Sequence, residues 1–222
     1  FLYESKEDRN KITMTSLLKN GQQRYDELLN VINKIRKNVN KCKYISIPCE
    51  ELKNENNVFD VDVTKLIINV NNSGITGKQL GDILRHKYNI EVEMDSLKYV
   101  LGITTICDDY KELERLAEAL KEIDKSLEEK QNENISVELL KNKRMYSIYE
   151  TDLKEKNTVN LFDSKDCISG EFVFLYPPGI PLVVPGEVIT EELLEQIKVY
   201  LEANMNISGL KDNSNKTIEV VK

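Results

Sequence analysis

The stretch Glu171–Glu187 reads EFVFLYPPGIPLVVPGE, and the rest of the chain is organised around it. It holds Pro177, Pro178, Pro181 and Pro185, four of the five prolines among 222 residues. Unbroken apolar runs, Phe172–Tyr176 and Ile180–Val184, flank and separate them. Proline fixes φ and offers no backbone N–H, so neither a helix nor a central strand is expected through positions 177–185. Each residue ahead of a proline is pushed toward extended geometry. The expected result is a stiff, extended, apolar ribbon that turns at Gly179 and again at Gly186. A flexible linker would be rich in Ser, Gly and charge; this segment is apolar and calls for a surface to pack against.

Downstream of the ribbon, Thr190 is placed to cap a helix running to about Ala203. Glu191 and Glu192 stand in its first turn, where the helix dipole favours them. Leu193, Leu194, Ile197 and Leu201 form its inner stripe. Ile207–Leu210 and Thr217–Val221 read as a closing turn and a strand. Upstream, residues 159–167 look irregular and Met145–Tyr149 carries no decisive pattern. Residues 136–142 suggest a short helix and residues 130–134 a polar linker.

The first half of the chain has clearer periodicity. From Thr13 to about Lys41, Tyr25, Leu28, Leu29, Ile32, Ile35 and Val39 recur at helical spacing, with Gly21 expected to break or join two helices. An apolar stripe of this kind needs a partner surface, and a bare one along Tyr25–Val39 would point to an absent domain. Tyr44–Ile47 reads as a short strand ended by Pro48, and Lys65–Val70 as a buried strand of β-branched residues. A turn follows at residues 71–74. Thr76 then caps a helix over Gly77–Tyr88 that stops at Asn89. Ile90–Glu93 and Tyr99–Ile106 read as strands, and Asp108–Glu129 as a long helix with Leu113, Leu116, Ala117, Leu120 and Ile123 on its inner face. The order β-β-α-β-β-α over Tyr44–Glu129 suits an α+β domain, a mainly antiparallel sheet with helices on one face.

Composition excludes several classes of function. Net charge is −7, from 31 Lys and Arg against 38 Asp and Glu, with no basic block to bind nucleic acid. No apolar run approaches the length of a membrane span, and no signal peptide is visible. The first residue is Phe rather than Met, which fits a piece of a longer protein. Cys42, Cys49, Cys107 and Cys167 form no Cys-x-x-Cys pair, and one histidine cannot build a zinc site. Free thiols in a reducing cytosol are expected.

The run Tyr176–Glu187, YPPGIPLVVPGE, followed by Val-Ile-Thr and a helix, resembles the C-terminal region of the bacterial Orn/Lys/Arg decarboxylases. These are pyridoxal-phosphate enzymes of the aspartate-aminotransferase fold. Lys65–Asp109 also resembles the family pattern of strand, Thr-Gly, helix, short strand and apolar strand. Arg24–Leu29 looks like its connecting helix. The resemblance implies three parts: residues 1–43, a connecting helical segment from an absent large domain; residues 44–130, an aspartate-aminotransferase-like small domain; and residues 131–222, a smaller α+β C-terminal domain. It further implies a cytoplasmic location, a homo-oligomer of two or more copies, and the large domain of the same polypeptide as partner.

Decarboxylation on pyridoxal phosphate needs a Schiff-base lysine, an acid facing the pyridine nitrogen and donors for the phosphate. In the family these sit in the large domain, so no catalytic, cofactor-binding or metal-binding residue is expected in this chain, and no pyridoxal phosphate bound to it alone. His86-Lys87 lies in the last turn of a helix, where cations favour the C-terminus, and its setting is not the family's. Gly74–Lys78 is too short for a phosphate loop, and Gln79 stands where Ser or Thr would bind magnesium. What the resemblance leaves for this chain is the substrate entrance. The distal cation of a basic amino acid is best read by a carboxylate, which makes Glu171 and Glu187 the candidates, with Tyr176 lining the entrance. The reading that competes with an enzyme piece is a regulatory or scaffolding homologue made of the same domains.

Overall fold

The computed structural model describes residues 14–54, 57–70, 72–129 and 140–222. These fall into two compact units, Phe1–Asn134 and Ile135–Lys222. The linker expected at 130–134, most of the helix expected at 136–142, and Asn71 in the turn lie outside the described residues.

In the first unit, helix α1 (Met14–Val39) leads into β1 (Ile45–Ser46), β2 (Lys65–Val70), α2 (Gly77–Tyr88), β3 (Met94–Asp95), β4 (Tyr99–Ile103) and α3 (Tyr110–Ser126). The four strands form one antiparallel sheet in the order β1-β2-β4-β3. Burial alternates along β2, with Leu66, Ile68 and Val70 inside. The same cluster takes Leu28, Ile32, Ile35 and Val39 from α1, Leu80 and Leu84 from α2, and Leu113, Leu116 and Leu120 from α3. Helical stripes and alternate strand residues thus meet on one side of the sheet, as the two periodicities require. Leu28, Ile32, Ile35 and Val39 of α1 are therefore covered within this unit, by α3 and the sheet, and of the stripe Tyr25–Val39 the residue left exposed is Tyr25.

Local signals account for the boundaries. Thr76 and Gln79 form a reciprocal capping box at the start of α2, and Asn89 ends it in the left-handed region at φ 52°. Asp109 caps α3 by accepting from the Lys111 N–H. Three details differ from the sequence expectation. α1 runs unbroken through Gly21, whose surroundings are open, so only propensity opposed the helix there. The short strand lies at Met94–Asp95 instead of residues 90–93, because its register is set by pairing with Leu101 and Val100. β4 stops at Ile103, where Asp108 accepts the Thr105 N–H and turns the chain into α3.

One buried group ties this unit together and has no periodic signature. The carboxylate of Asp124, near the end of α3, accepts the backbone N–H groups of Lys43, Tyr44 and Ile45 at 3.0, 2.8 and 3.0 Å. These are the donors at the entry to β1, which would otherwise be buried without partners.

The second unit comprises α4 (Ile148–Asp152), β5 (Lys156–Asn160), β6 (Val173–Leu175), β7 (Ile180–Val183), α5 (Glu191–Glu202), β8 (Ile207–Ser208) and β9 (Thr217–Val221). β5 and β9 pair antiparallel, and a second small sheet has the order β7-β6-β8. The sequence reading assigns no strand at β5, and its irregular stretch 159–167 overlaps only the last two residues; the sequence KNTVN has almost no apolar alternation to betray it. α4 carries a Ser147–Glu150 capping box. Thr190 caps α5 through the Leu193 N–H, as expected.

Candidate functional site

The ribbon is a hairpin. β6 and β7 are joined through Pro177, Pro178 and Gly179, with the Gly179 N–H donating to the Leu175 carbonyl at 2.9 Å. Gly179 and Gly186 take φ of 97° and 94°, a region in which glycine alone is unstrained, so both expected turns are present. The Tyr176–Pro177 and Pro177–Pro178 bonds are cis. Pro181 does lie within a strand, but β7 is at the edge of its sheet, where a missing N–H leaves no ladder bond unmade.

Glu171 and Glu187 meet at the base of this hairpin. The Ser169 N–H donates to the Glu187 carbonyl at 2.8 Å, and the Ser169 hydroxyl donates to the Glu171 carbonyl at 2.7 Å. The Glu171 carboxylate is buried, and its two oxygens accept the Lys211 N–H at 2.9 Å and the Glu219 N–H at 2.7 Å. That pairing satisfies a buried charge with two charge-assisted bonds and pins the hairpin to β9. Glu187 is half-buried. Its Oε2 accepts the Val184 N–H at 3.1 Å and the Asn142 side-chain amide at 3.2 Å, closing the second turn. Neither bond uses its Oε1.

Tyr176 stands at the other end. At about 3.3 Å per residue it lies roughly 16 Å along the chain from Glu171. Its backbone N–H donates to the Asn206 carbonyl at 3.0 Å, while its ring is 55% exposed. Ile180, across the turn, is 45% exposed. The hairpin thus has a polar, tied base and an apolar, open tip. The structure links the backbones of Glu171 and Glu187 through Ser169, gives their carboxylates separate partners, and leaves Tyr176 at the far end of the hairpin.

The sequence reading missed Asn142, whose side-chain amide donates to the Leu182 carbonyl at 2.7 Å as well as to Glu187. It also missed Asp212, which accepts from Ser214, Lys216 and Thr217 and so draws its carboxyl well below the usual range, chiefly through the Ser214 hydroxyl and N–H. The Asp-x-Ser pattern at 212–214 is a turn signal that could have been used. Asn142 lies in a polar stretch with nothing to distinguish it.

The residues described do not fit the cofactor that the resemblance implies. Lys87 is exposed and paired with Glu122 at 2.9 Å, and the His86 ring nitrogen Nδ1 sits 2.8 Å from the Asp82 carbonyl one turn back. An exposed, ion-paired lysine on a helix surface is unsuited to an enclosed Schiff-base site. No group of His, Cys, Asp and Glu among the described residues could hold a metal ion. No described helix is long and apolar enough to cross a membrane.

Comparison with known proteins bears on this geometry directly. Residues 145–213, which contain the whole hairpin, match the family model described as Orn/Lys/Arg decarboxylase, C-terminal domain. An arginine decarboxylase of Bacillus subtilis is 35% identical over 205 residues, 91% of this chain and 42% of that protein. One from Bacillus anthracis is 29% identical over the same length and with the same coverage. Among solved structures, the constitutive lysine decarboxylase of E. coli aligns with a TM-score of 0.71 at 14% identity, over 95% of this chain and 41% of that one. The Francisella novicida lysine decarboxylase aligns with a TM-score of 0.68 at 17% identity, over 91% and 40%. At such identities the structural likeness is one of fold. The chain spans about two-fifths of the length of the relatives it matches.

Proposed function

We propose that this chain, which resembles the C-terminal part of the Orn/Lys/Arg decarboxylases over nine-tenths of its length, serves as the substrate-entrance portion of a pyridoxal-phosphate decarboxylase of basic amino acids. The observation that carries the reading is the match over residues 145–213, which frames the proline hairpin. The cofactor lysine and the groups that hold the cofactor would belong to the large N-terminal domain of the parent polypeptide. The cofactor, when bound there, supplies the electron sink for loss of CO2. The parent would be cytoplasmic and oligomeric, and this chain alone inactive.

Different tasks for the three candidate residues are part of this proposal, and the hydrogen bonds and exposure of each support them. Glu171 fixes the hairpin to β9 and acts as a positioning residue. Tyr176 and Ile180 present an apolar tip suited to line a cleft mouth. Glu187 ties its turn with one oxygen and keeps the other for the distal cation of a substrate. The relatives named arginine decarboxylase make arginine the first substrate to try.

The test is an assay of the full-length parent with pyridoxal phosphate on arginine, lysine and ornithine, with amine products separated. Turnover of one of them is expected, and no turnover of any would overturn the reading. In the same protein, Glu187→Gln should lower kcat/KM about tenfold or more by weakening recognition of the distal charge. An unchanged kcat/KM would remove Glu187 from the site while leaving the enzyme assignment intact.

A further inference from the structure

The amide of Asn142 serves its neighbours and leaves itself unsatisfied. Its Nδ2 donates to the Leu182 carbonyl at 2.7 Å and to Glu187 Oε2 at 3.2 Å, while its Oδ1 is buried and finds no partner among the described residues. A buried carbonyl oxygen left unpaired lowers stability. Turning the amide over would not relieve it, because Oδ1 would then face two acceptors, the Leu182 carbonyl and the Glu187 carboxylate. Those two groups therefore impose the orientation. The backbone beside Asn142 is held to the same turn. The Val188 N–H donates to the Lys143 carbonyl at 2.9 Å, and the Met145 N–H to the Gly186 carbonyl at 2.8 Å. Arg144 bridges Glu187 across the two backbones, yet no ion pair joins their side chains among the described residues, and Oε1 stays open. Asn142 itself lies ahead of the stretch 145–213 that matches the family model.

We propose that Asn142 is a positioning residue for substrate recognition: it fixes the Glu187 carboxylate so that Oε1 is presented to the distal cation of the substrate. This role rests on the entrance reading of Glu187 and deepens it. Oε2 has two lone pairs, and the Val184 N–H at 3.1 Å and the Asn142 amide take both. Two donors from different segments set the direction of Oε2, and the planar carboxylate then sets the direction of Oε1. A freely rotating glutamate would lose rotamer freedom on gripping a cation; here the ordering is done in the fold. Glu171 shows the alternative. Both of its oxygens are taken by backbone N–H groups, so it has nothing left to present. A carboxylate with one saturated oxygen meets a newcomer with the other alone. An ammonium is a point charge that one oxygen can meet, whereas the guanidinium fork is matched by both. Held by Asn142, Glu187 thus reads distal charge rather than guanidinium shape.

A double-mutant cycle in the full-length parent tests the role, on whichever of arginine, lysine and ornithine it turns over. Asn142→Leu should raise KM about fivefold, the equivalent of one hydrogen bond, with kcat kept within about twofold. Circular dichroism checks its fold, and if the leucine variant does not fold, Asn142→Ser, too short to reach Glu187, carries the same expectation. In the Glu187→Gln background the Asn142 substitution should change KM no further, because the charge it positions is gone. An unchanged KM in the folded variant, a kcat that falls as far as KM rises, or an effect that persists in full beside Glu187→Gln would each overturn the proposal while leaving Glu187 in the site. If Glu187→Gln alone leaves kcat/KM unchanged, the entrance reading of Glu187 fails and the role of Asn142 falls with it.

Discussion

The two units of this chain are held together by different means. In the first, three helices and alternate residues of a four-stranded sheet bury a single apolar cluster, and one carboxylate, Asp124, closes the loop between α1 and β1. In the second, the strands are short and fall into two small sheets. There the junctions are made by polar groups: Glu171 to β9, Glu187 to its own turn, Asp212 to the loop before β9. Large apolar side chains remain exposed at the hairpin tip and on α4. The first unit also leaves Leu18 and Phe59 exposed, but these stand outside the cluster that holds it. A unit that ties its backbone with carboxylates can leave apolar surface outward, where it can meet something else.

The contrast breaks down if the units respond alike to loss of apolar volume and loss of a carboxylate. Leu120→Ala should give the largest effect. Leu120, on α3, is fully buried in this apolar cluster, and such truncations cost about 2–5 kcal/mol. Urea unfolding followed by circular dichroism measures the loss, and hydrogen exchange should confine it to residues 14–129. A cost below about 1 kcal/mol would mean that the cluster is not what holds the first unit.

Glu171→Ala comes next. It strips the acceptor from the Lys211 and Glu219 N–H groups, and each unpaired buried donor costs about 1–3 kcal/mol, less where water reaches it. The expected loss is roughly 2–3 kcal/mol, with amide exchange quickened along β9. Glu171→Gln keeps one acceptor and should lose about half as much. If Glu171→Ala proves neutral, the hairpin base is held by packing and the two units are alike after all.

The same contrast explains what the sequence made readable. Period-3.6 stripes and the β-branched run KLIINV located α1, α2, α3 and β2, because apolar periodicity is what builds the first unit. Thr76, Asn89 and Thr190 could be read as helix signals because capping chemistry is local. The turns at Gly179 and Gly186 were readable from the glycines and the prolines around them, whereas the pairing of β6 with β7 into a hairpin was not part of the ribbon expected there. The strand β5 was not readable, since its residues earn their place by pairing with β9 rather than by burial. Asp124 and Glu171 look in sequence like any solvated carboxylate. Their roles depend on N–H groups 79 to 81 and 40 to 48 residues away in the chain. For the candidate site, the sequence named Glu171, Tyr176 and Glu187 but gave no sign of the division of the hairpin into a tied base and an open tip.

Asp95 sharpens the comparison from the opposite side, with the smallest effect expected. It sits at the edge of the first unit's sheet, where Gly81 leaves room for it: a Cβ there would lie 3.2 Å from its Oδ2. Unlike Glu171 and Asp124, it is met chiefly by an ammonium, that of Lys78 at 3.7 Å, and Lys78 is closer to Asp82 at 2.6 Å. Burial raises the Asp95 carboxyl above the usual carboxylate range, Lys78 only partly opposing and Asp82 reinforcing the rise. A carboxyl that titrates higher in the folded than in the unfolded chain binds its proton more tightly when native. Stability is then greatest at pH below the unfolded value, near 3.9, and falls as pH rises through the folded value. Asp95→Asn removes that fall while keeping shape, and Lys78 retains Asp82. The variant should therefore match the parent chain near pH 3 and exceed it in Tm at pH 7, by less than either substitution above lowers it. A gap that does not grow with pH, or a variant less stable at pH 7, would show that this carboxylate too is held by favourable contacts, and that ionised groups stabilise both units.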